Sequence, residues 1–371
     1  MKVIIIGGSI GGLFAGIELS KKGFDVEIYE RSPGDLVDRG AGLVIQPDMM
    51  DYMIGSGISS HEKFGVMASQ RQVLNSQGQP EHIYPNDTVF TSWNYLWYQL
   101  KSAFPSQKYF KGYDLEDIED ENESVKARFK NGEIRYGDLL IGADGLNSVV
   151  RNYVSEGIYP NFAGYVAFRG LIPEMELSPE EDRFFENKFS IFPYRGSHLL
   201  SYLIPGKNGS TRHGERLLNW VWYQNKSLTE LKALLKDKDG RIRTFSVPAG
   251  LLNETSIKEL QVRATAELPK ILSDRVIQTK NPFLQVISDL SVPRMYKGRI
   301  VVLGDSAHLV RPHTASGTAK AYRDAISLSI FLGEADDLSQ SLMAWNNQQM
   351  EHAHALNIHG RQLALRSQLG F

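Results

Sequence analysis

A short apolar strand that runs straight into a glycine turn constrains this chain more than any other stretch. Lys2 to Ile6 is followed at once by Gly7-Gly8-Ser9-Ile10-Gly11-Gly12, and residues 13–22 then read as a helix. Gly12, Ala15 and Gly16 are small where that helix must lie close to a sheet. A second strand over 26–29 ends in Glu30. Strand, glycine turn, helix, strand and terminal acid, in that order, open a parallel α/β sheet. The helix N-terminus offers backbone N–H groups to a pyrophosphate, and the acid is spaced to hold ribose hydroxyls.

One departure stands out, because the middle glycine of G-x-G-x-x-G is Ser9. Its Cβ narrows the approach of a pyrophosphate, while its hydroxyl can donate to a phosphate oxygen. Glu30 opposes a ribose 2′-phosphate, since two anions would meet. The nucleotide expected is therefore FAD or NAD rather than NADP.

Two further stretches repeat the pattern of apolar strand, acidic turn and helix. The first is Tyr136-Gly-Asp-Leu-Leu-Ile-Gly-Ala-Asp144-Gly145, continued by Ser148 and Arg151. The second begins with Ile300, Val301, Val302 and Leu303, four apolar residues in a row that suit a strand covered on both faces. Asp305 then stands at the strand's carboxyl end, where open α/β sheets bind ligands. Pro312, Gly317 and Ala321 follow, and Gly317 opens a helix whose free N–H groups face outward. A dehydrogenase using only a nicotinamide has no need of a second and third such turn. A longer ligand such as FAD has.

In this order and spacing the three motifs resemble the aromatic-ring hydroxylases, the FAD-dependent single-component monooxygenases related to p-hydroxybenzoate hydroxylase. The likeness covers nearly the whole chain. Shared phrases include Ala163-Gly-Tyr-Val with Arg169-Gly170, His198 with Tyr202, and Arg311-Pro-His313 with Gly317, and they point within the family to its hydroxypyridine hydroxylases. The resemblance implies an α/β fold, a doubly wound FAD-binding domain carrying an inserted antiparallel-sheet substrate domain. It implies FAD bound without a covalent link, NAD(P)H as co-substrate, and hydroxylation of an electron-rich ring by a flavin C4a-hydroperoxide. It places Gly7, Gly8, Ser9, Ile10 and Gly12 at the pyrophosphate, Glu30 and Arg31 at the adenosine, and Asp305 at the ribityl chain and pyrophosphate. Pro312, Ala315, Gly317 and Thr318 would run along the isoalloxazine. Arg39, Leu115 and Asp144 complete the cofactor set. The family's arginine in the helix at 92–103 has no counterpart, because Ser92-Trp-Asn-Tyr-Leu96 stands there.

Composition narrows the setting. A net charge of -2 gives no basic footprint for nucleic acid. The absence of cysteine excludes disulfides, thiolate chemistry and iron–sulfur clusters, and fits a cytoplasmic protein. No apolar run is long enough to cross a bilayer, and the strand at the start leaves no room for a targeting peptide. The partners expected are a small aromatic substrate and O2, with a homodimer left open.

The nucleotide elements are interrupted. Residues 1–60, 95–155 and 280–371 are expected to form the FAD-binding domain, and 61–94 with 156–279 the substrate domain. Strands are expected at 165–172, 184–194, 197–204 and 216–224, and helices over 227–240, 254–273 and 338–369. By alternation His198, Leu200 and Tyr202 share one face, as do Trp220 and Trp222. A ring hydroxylase gains from deprotonating its substrate, so His198, Tyr202 and His313 are the candidate catalytic groups, set in an apolar pocket. For His198 and Tyr202 taken singly, an ordinary half-buried sheet face is the simpler account. Trp220-Val-Trp222 lacks the Ile-Pro of the halogenase signature, which disfavours halogenation. His352, His354 and His359 lack the i, i+4 spacing of helical metal ligands, and no metal site is expected. Two other functions compete: a nicotinamide dehydrogenase without flavin, and a non-catalytic FAD-binding protein.

Overall fold

The computed structural model of the chain describes residues 1–36, 41–60, 64–334 and 337–370, and all counts refer to these. Two compact units divide it. One comprises Met1–Val37, Leu96–Asn161 and Asp289–Arg361; the other comprises Asp38–Tyr95, Phe162–Ser288 and Gln362–Phe371.

The first unit is built around the N-terminal strand. Lys2–Ile6 lies between Leu139–Gly142 and Asp25–Glu30, with Ile300–Val302 and Tyr109–Lys111 beyond them, all parallel. Val3, Ile4, Leu140 and Val301 are fully buried, as strands covered on both faces require. The first helix spans Ile10–Lys21, starting three residues before the expected 13 because Ser9 already takes an extended N-cap conformation. Its small residues do what the sequence implies. A Cβ on Gly12 would overlap the Gly7 carbonyl oxygen, and one on Gly16 would stand 2.8 Å from Ile28. Phe14 meets Tyr322 of helix Gly317–Glu334 edge-on at 5.1 Å. The long helix Leu338–Arg366 buries Leu342 and Trp345, and the Trp345 indole N–H donates to the Asp324 carbonyl at 3.1 Å.

The second unit is a broad sheet. From Asn161–Pro173 through Leu217–Asn225 and Ser197–Ile204 to Lys188–Tyr194 its neighbours are antiparallel. Lys188–Tyr194 then runs parallel to Val66–Leu74, a pairing the sequence did not signal. Trp220 and Trp222 do share a face and lie in the largest core of this unit, with Phe168, Leu199, Leu260 and Leu272.

Several boundaries differ from expectation, each for a local reason. The strand expected from 184 begins at Lys188, because Ser178 and Glu181 form a capping box around Pro179 and start the helix Pro179–Phe185. The helix expected over 254–273 is two, Glu254–Glu267 and Lys270–Gln278, broken at Leu268-Pro269. The helix expected over 227–240 stops at Leu234. Residues 42–45 pair with Pro80–Ser92, and Ala364 and Leu369 pack with Tyr165 and Tyr223, so these segments belong with the second unit.

Candidate functional site

Three turns at the carboxyl ends of the first unit's strands are built against one another. Gly7, at φ +108°, passes so close to Ala143 that an added Cβ would lie 2.6 Å from its carbonyl carbon. The Gly8 carbonyl accepts from the Trp97 indole N–H at 3.0 Å and the Tyr109 hydroxyl at 2.9 Å. The Gly8 N–H donates to Glu30 Oε2, and the Ser32 N–H donates to Glu30 Oε1, both at 2.9 Å. Glu30 is buried and so straps the turn to the end of its strand. Trp97 comes from the helix in which the family's arginine is missing, and sequence reading gave no sign of its part. Ser9 caps the first helix without using its side chain, which leaves the hydroxyl beside the open N-terminal amides from Ile10 onward.

The second turn is a scaffold. The Asp144 carboxylate accepts from Ser148 Oγ at 2.5 Å, from Ser306 Oγ at 3.1 Å and from the Val149 N–H at 2.8 Å. Burial pushes its pKa up, and the Ser148 hydroxyl opposes that shift. The Asp144 oxygens are thus engaged by the protein, and they tie the second turn to the third. Buried Arg151 donates to the carbonyls of Leu146 at 2.6 Å and Ser306 at 3.1 Å.

In the third turn Gly304 takes φ +61° and Asp305 is exposed beside it. The Asp305 carboxyl is set low among protein atoms although solvent reaches it. That desolvation pushes its pKa up, and the Lys320 charge draws it back. The loop that follows is anchored at its start. Buried Arg311 donates through Nε and an NH2 group to both oxygens of Asp289, at 2.9 and 2.8 Å. Ala315 turns the chain in the left-handed region at φ +52°, its N–H donating to the Pro312 carbonyl at 3.0 Å. Gly317 is then the exposed first residue of its helix, with Pro312, His313 and Thr318 half-buried nearby in sequence. Arg31 is exposed after its strand, Leu115 is buried at the start of Leu115–Asp120, and Arg39 lies outside the described residues.

Among the predicted cofactor residues, Ser9, Ile10 and Asp305 are the ones whose open groups suit FAD. An open helix N-terminus with a free serine hydroxyl suits the pyrophosphate, and an exposed carboxylate stands at a strand's carboxyl end.

On the second unit's sheet, His198 and Tyr202 share one face of Ser197–Ile204. The Tyr202 ring stacks on Phe90 at 3.9 Å, and its hydroxyl donates to the Gly42 carbonyl at 3.2 Å. Asn219 Oδ1 accepts the Gly42 N–H at 3.0 Å. Burial pushes the Tyr202 phenol up to about 12 and the His198 imidazole down to about 4. Neither is tuned to take a proton near neutrality. The His198 ring lies 4.8 Å from that of Tyr223. Among the described residues, Glu174, Asp182 and His213 bring potential ligand atoms within 4.8 Å. There Arg216 pairs with Glu174, and His213 with Asp182, so the group reads as an ion-paired network.

Comparison with known proteins shows the family. A family model described as FAD binding domain-like matches residues 162–289. The 2,6-dihydroxypyridine 3-monooxygenase of Paenarthrobacter nicotinovorans is 33% identical over 371 residues, covering 100% of this chain and 92% of the relative. The chain belongs to the FAD-dependent aromatic-ring hydroxylases. A solved structure of 2,6-dihydroxypyridine-3-hydroxylase from Arthrobacter nicotinovorans superposes with a TM-score of 0.93 at 32% identity, covering 99% of this chain and 92% of that one. The 6-hydroxynicotinate 3-monooxygenase of Bordetella bronchiseptica is 24% identical over 354 residues, 88% of this chain and 82% of the relative.

As a hydroxylase of this family the chain is a flavin-dependent monooxygenase, with FAD as cofactor, NAD(P)H as co-substrate, and an aromatic ring and O2 as reactants. Bound FAD supplies the oxygen chemistry; the protein supplies binding, orientation and exclusion of water. Glu30 ties the Gly8 end of the glycine turn to Ser32 at the end of its own strand. Arg311 and Asp289 fix the start of the loop that leads to the Gly317 amides. No helix among the described residues is long and apolar enough to cross a membrane.

Proposed function

We propose that this hydroxylase is a cytoplasmic enzyme acting on a small hydroxylated N-heteroaromatic ring of the hydroxypyridine kind. The full-length likeness to a 2,6-dihydroxypyridine 3-monooxygenase carries the reading. In it the first unit holds FAD, through Gly7, Gly8, Ser9, Ile10, Gly12, Glu30, Asp305 and the 312–318 loop, and the second presents the substrate face. His198 and Tyr202 hold the ring's hydroxyl or nitrogen. A neutral imidazole suits a hydroxypyridine, because each partner offers one donor and one acceptor. With His198 held to about 4 by burial and Tyr202 near 12, their part is orientation, and the substrate proton leaves to another acceptor.

The test follows NADH and NADPH oxidation, oxygen uptake and product formation with hydroxypyridines, salicylates and hydroxybenzoates. A dihydroxypyridine should stimulate oxidation most and be hydroxylated. A salicylate or hydroxybenzoate hydroxylated in its place would overturn the substrate class. His198→Asn and Tyr202→Phe should keep FAD bound while raising the share of NAD(P)H oxidised without product. Parental rate and coupling in both variants would remove these residues from the substrate site.

A further inference from the structure

Lys320 is an expensive residue where it stands. Its side chain is 2% exposed and that of Asp324, one helical turn on, is 1% exposed. Taking two charges out of water costs several kcal/mol per ion, and their mutual attraction often does no more than offset it. Such a pair therefore calls for a reason other than stability.

The hydrogen bonds supply one. Lys320 Nζ donates to Asp324 Oδ2 at 2.7 Å and to the Gly304 carbonyl at 3.2 Å. The same Asp324 oxygen accepts the Gly304 N–H at 2.8 Å. Both backbone polar groups of Gly304 are thus claimed by one face of the helix Gly317–Glu334. On the other side of Asp305, the Ser306 carbonyl accepts from Arg151, and Ser306 Oγ both accepts the Gly145 N–H at 2.7 Å and donates to Asp144. The residues before and after Asp305 are clamped from two directions, and Asp305 stands exposed between them.

We propose that Lys320 is a positioning residue for FAD: paired with Asp324, it holds Gly304 so that Asp305 is presented to the cofactor in one fixed direction. The Lys320 charge also favours ionised Asp305 against its desolvation, which suits a carboxylate that accepts hydroxyl hydrogens from a ribityl chain. The proposal rests on FAD being the cofactor and says nothing of the ring that is hydroxylated.

The test compares FAD binding with the stability of the apoprotein. Lys320→Met alone strands a buried carboxylate and is expected to weaken folding. The double variant Lys320→Met/Asp324→Asn removes both charges and keeps an acceptor for the Gly304 N–H. Its apoprotein should melt near the parental temperature. Its FAD dissociation constant, from quenching of flavin fluorescence, should rise about tenfold, which is about 1.4 kcal/mol. Amide exchange over 303–306 should quicken while exchange in Lys2–Ile6 stays unchanged. Lys320→Gln, which keeps a donor without the charge, serves if the double variant does not fold, and it should also weaken FAD binding. A dissociation constant within twofold of the parent in whichever variant folds would overturn the proposal. A parental protein that binds no FAD would instead overturn the cofactor assignment.

Discussion

Gly8→Ala should cost this protein about 1.5–4.5 kcal/mol of stability, and the reason can be isolated. A Cβ at Gly8 would stand 2.5 Å from Tyr109 Cζ and closer still to its hydroxyl oxygen. Carbon atoms in contact sit about 3.5–4.0 Å apart, so the ring has to move by more than an ångström. It is not free to do so cheaply. Its hydroxyl donates to the Gly8 carbonyl, and the Lys101 ammonium lies 4.3 Å from its ring centroid. Moving the ring gives up one hydrogen bond, about 0.5–1.5 kcal/mol, and forces extra volume into a packed site, about 1–3 kcal/mol. Urea unfolding of the apoprotein measures the sum. Tyr109→Leu removes the obstructing atoms, so in that background the same substitution should cost less than about 1 kcal/mol, the difference being the coupling between neighbours. Equal penalties in both backgrounds would refute the reasoning, as would a Gly8→Ala protein within about 0.5 kcal/mol of the parent.

Asp305→Ala should fold normally, since the residue is exposed, and lose FAD affinity by about 1.5–3 kcal/mol, the usual worth of a hydrogen bond to a charged group; unchanged affinity in a titration would remove Asp305 from the site. Acid should destabilise the protein through two buried histidines. Burial lowers His198 to about 4 and His308 to about 3 from an ordinary 6.5, so the unfolded chain binds more protons below that value and stability falls as pH drops. From pH 7 to pH 5 each should cost about 2 kcal/mol, and His308→Gln should remove roughly half of this loss in urea midpoints; an unchanged acid slope would count against a buried neutral His308.

The elements that carry the nucleotide were legible because their signals are local. An apolar run, a glycine turn and a closing acid lie within one stretch, and Lys2–Ile6, Asp25–Glu30 and Gly317–Glu334 appear within a few residues of their expected positions. The face shared by His198 and Tyr202 followed from simple alternation. What the sequence hid depends on chain reversals far from the motif. Trp97 and Tyr109 reach Gly8 across 89 and 101 residues, and nothing in their surroundings marks them as part of the turn. The parallel pairing of Lys188–Tyr194 with Val66–Leu74 is equally invisible, because period-two patterning is the same for either strand direction. The pKa of His198 could not be read either, since it arises from burial alone.

The structure also divides the motif residues by task. A motif groups residues by spacing and so suggests that all of them meet the ligand. Here Asp144 spends its carboxylate on Ser148, Ser306 and a helix start. Gly304 gives both backbone groups to Lys320 and Asp324, and Gly8 is bound by Trp97, Tyr109 and Glu30. What stays open is a smaller set: the Ser9 hydroxyl, the first amides of the Ile10 helix, Asp305, and exposed Gly317. Preorganisation explains the division. A cofactor held by a few dipoles gains most when those dipoles cannot turn away, and each fixed turn removes ordering cost from binding. Substitutions of Gly8 or Asp144 should therefore lower stability and FAD affinity together, whereas those in the open set should lower affinity alone.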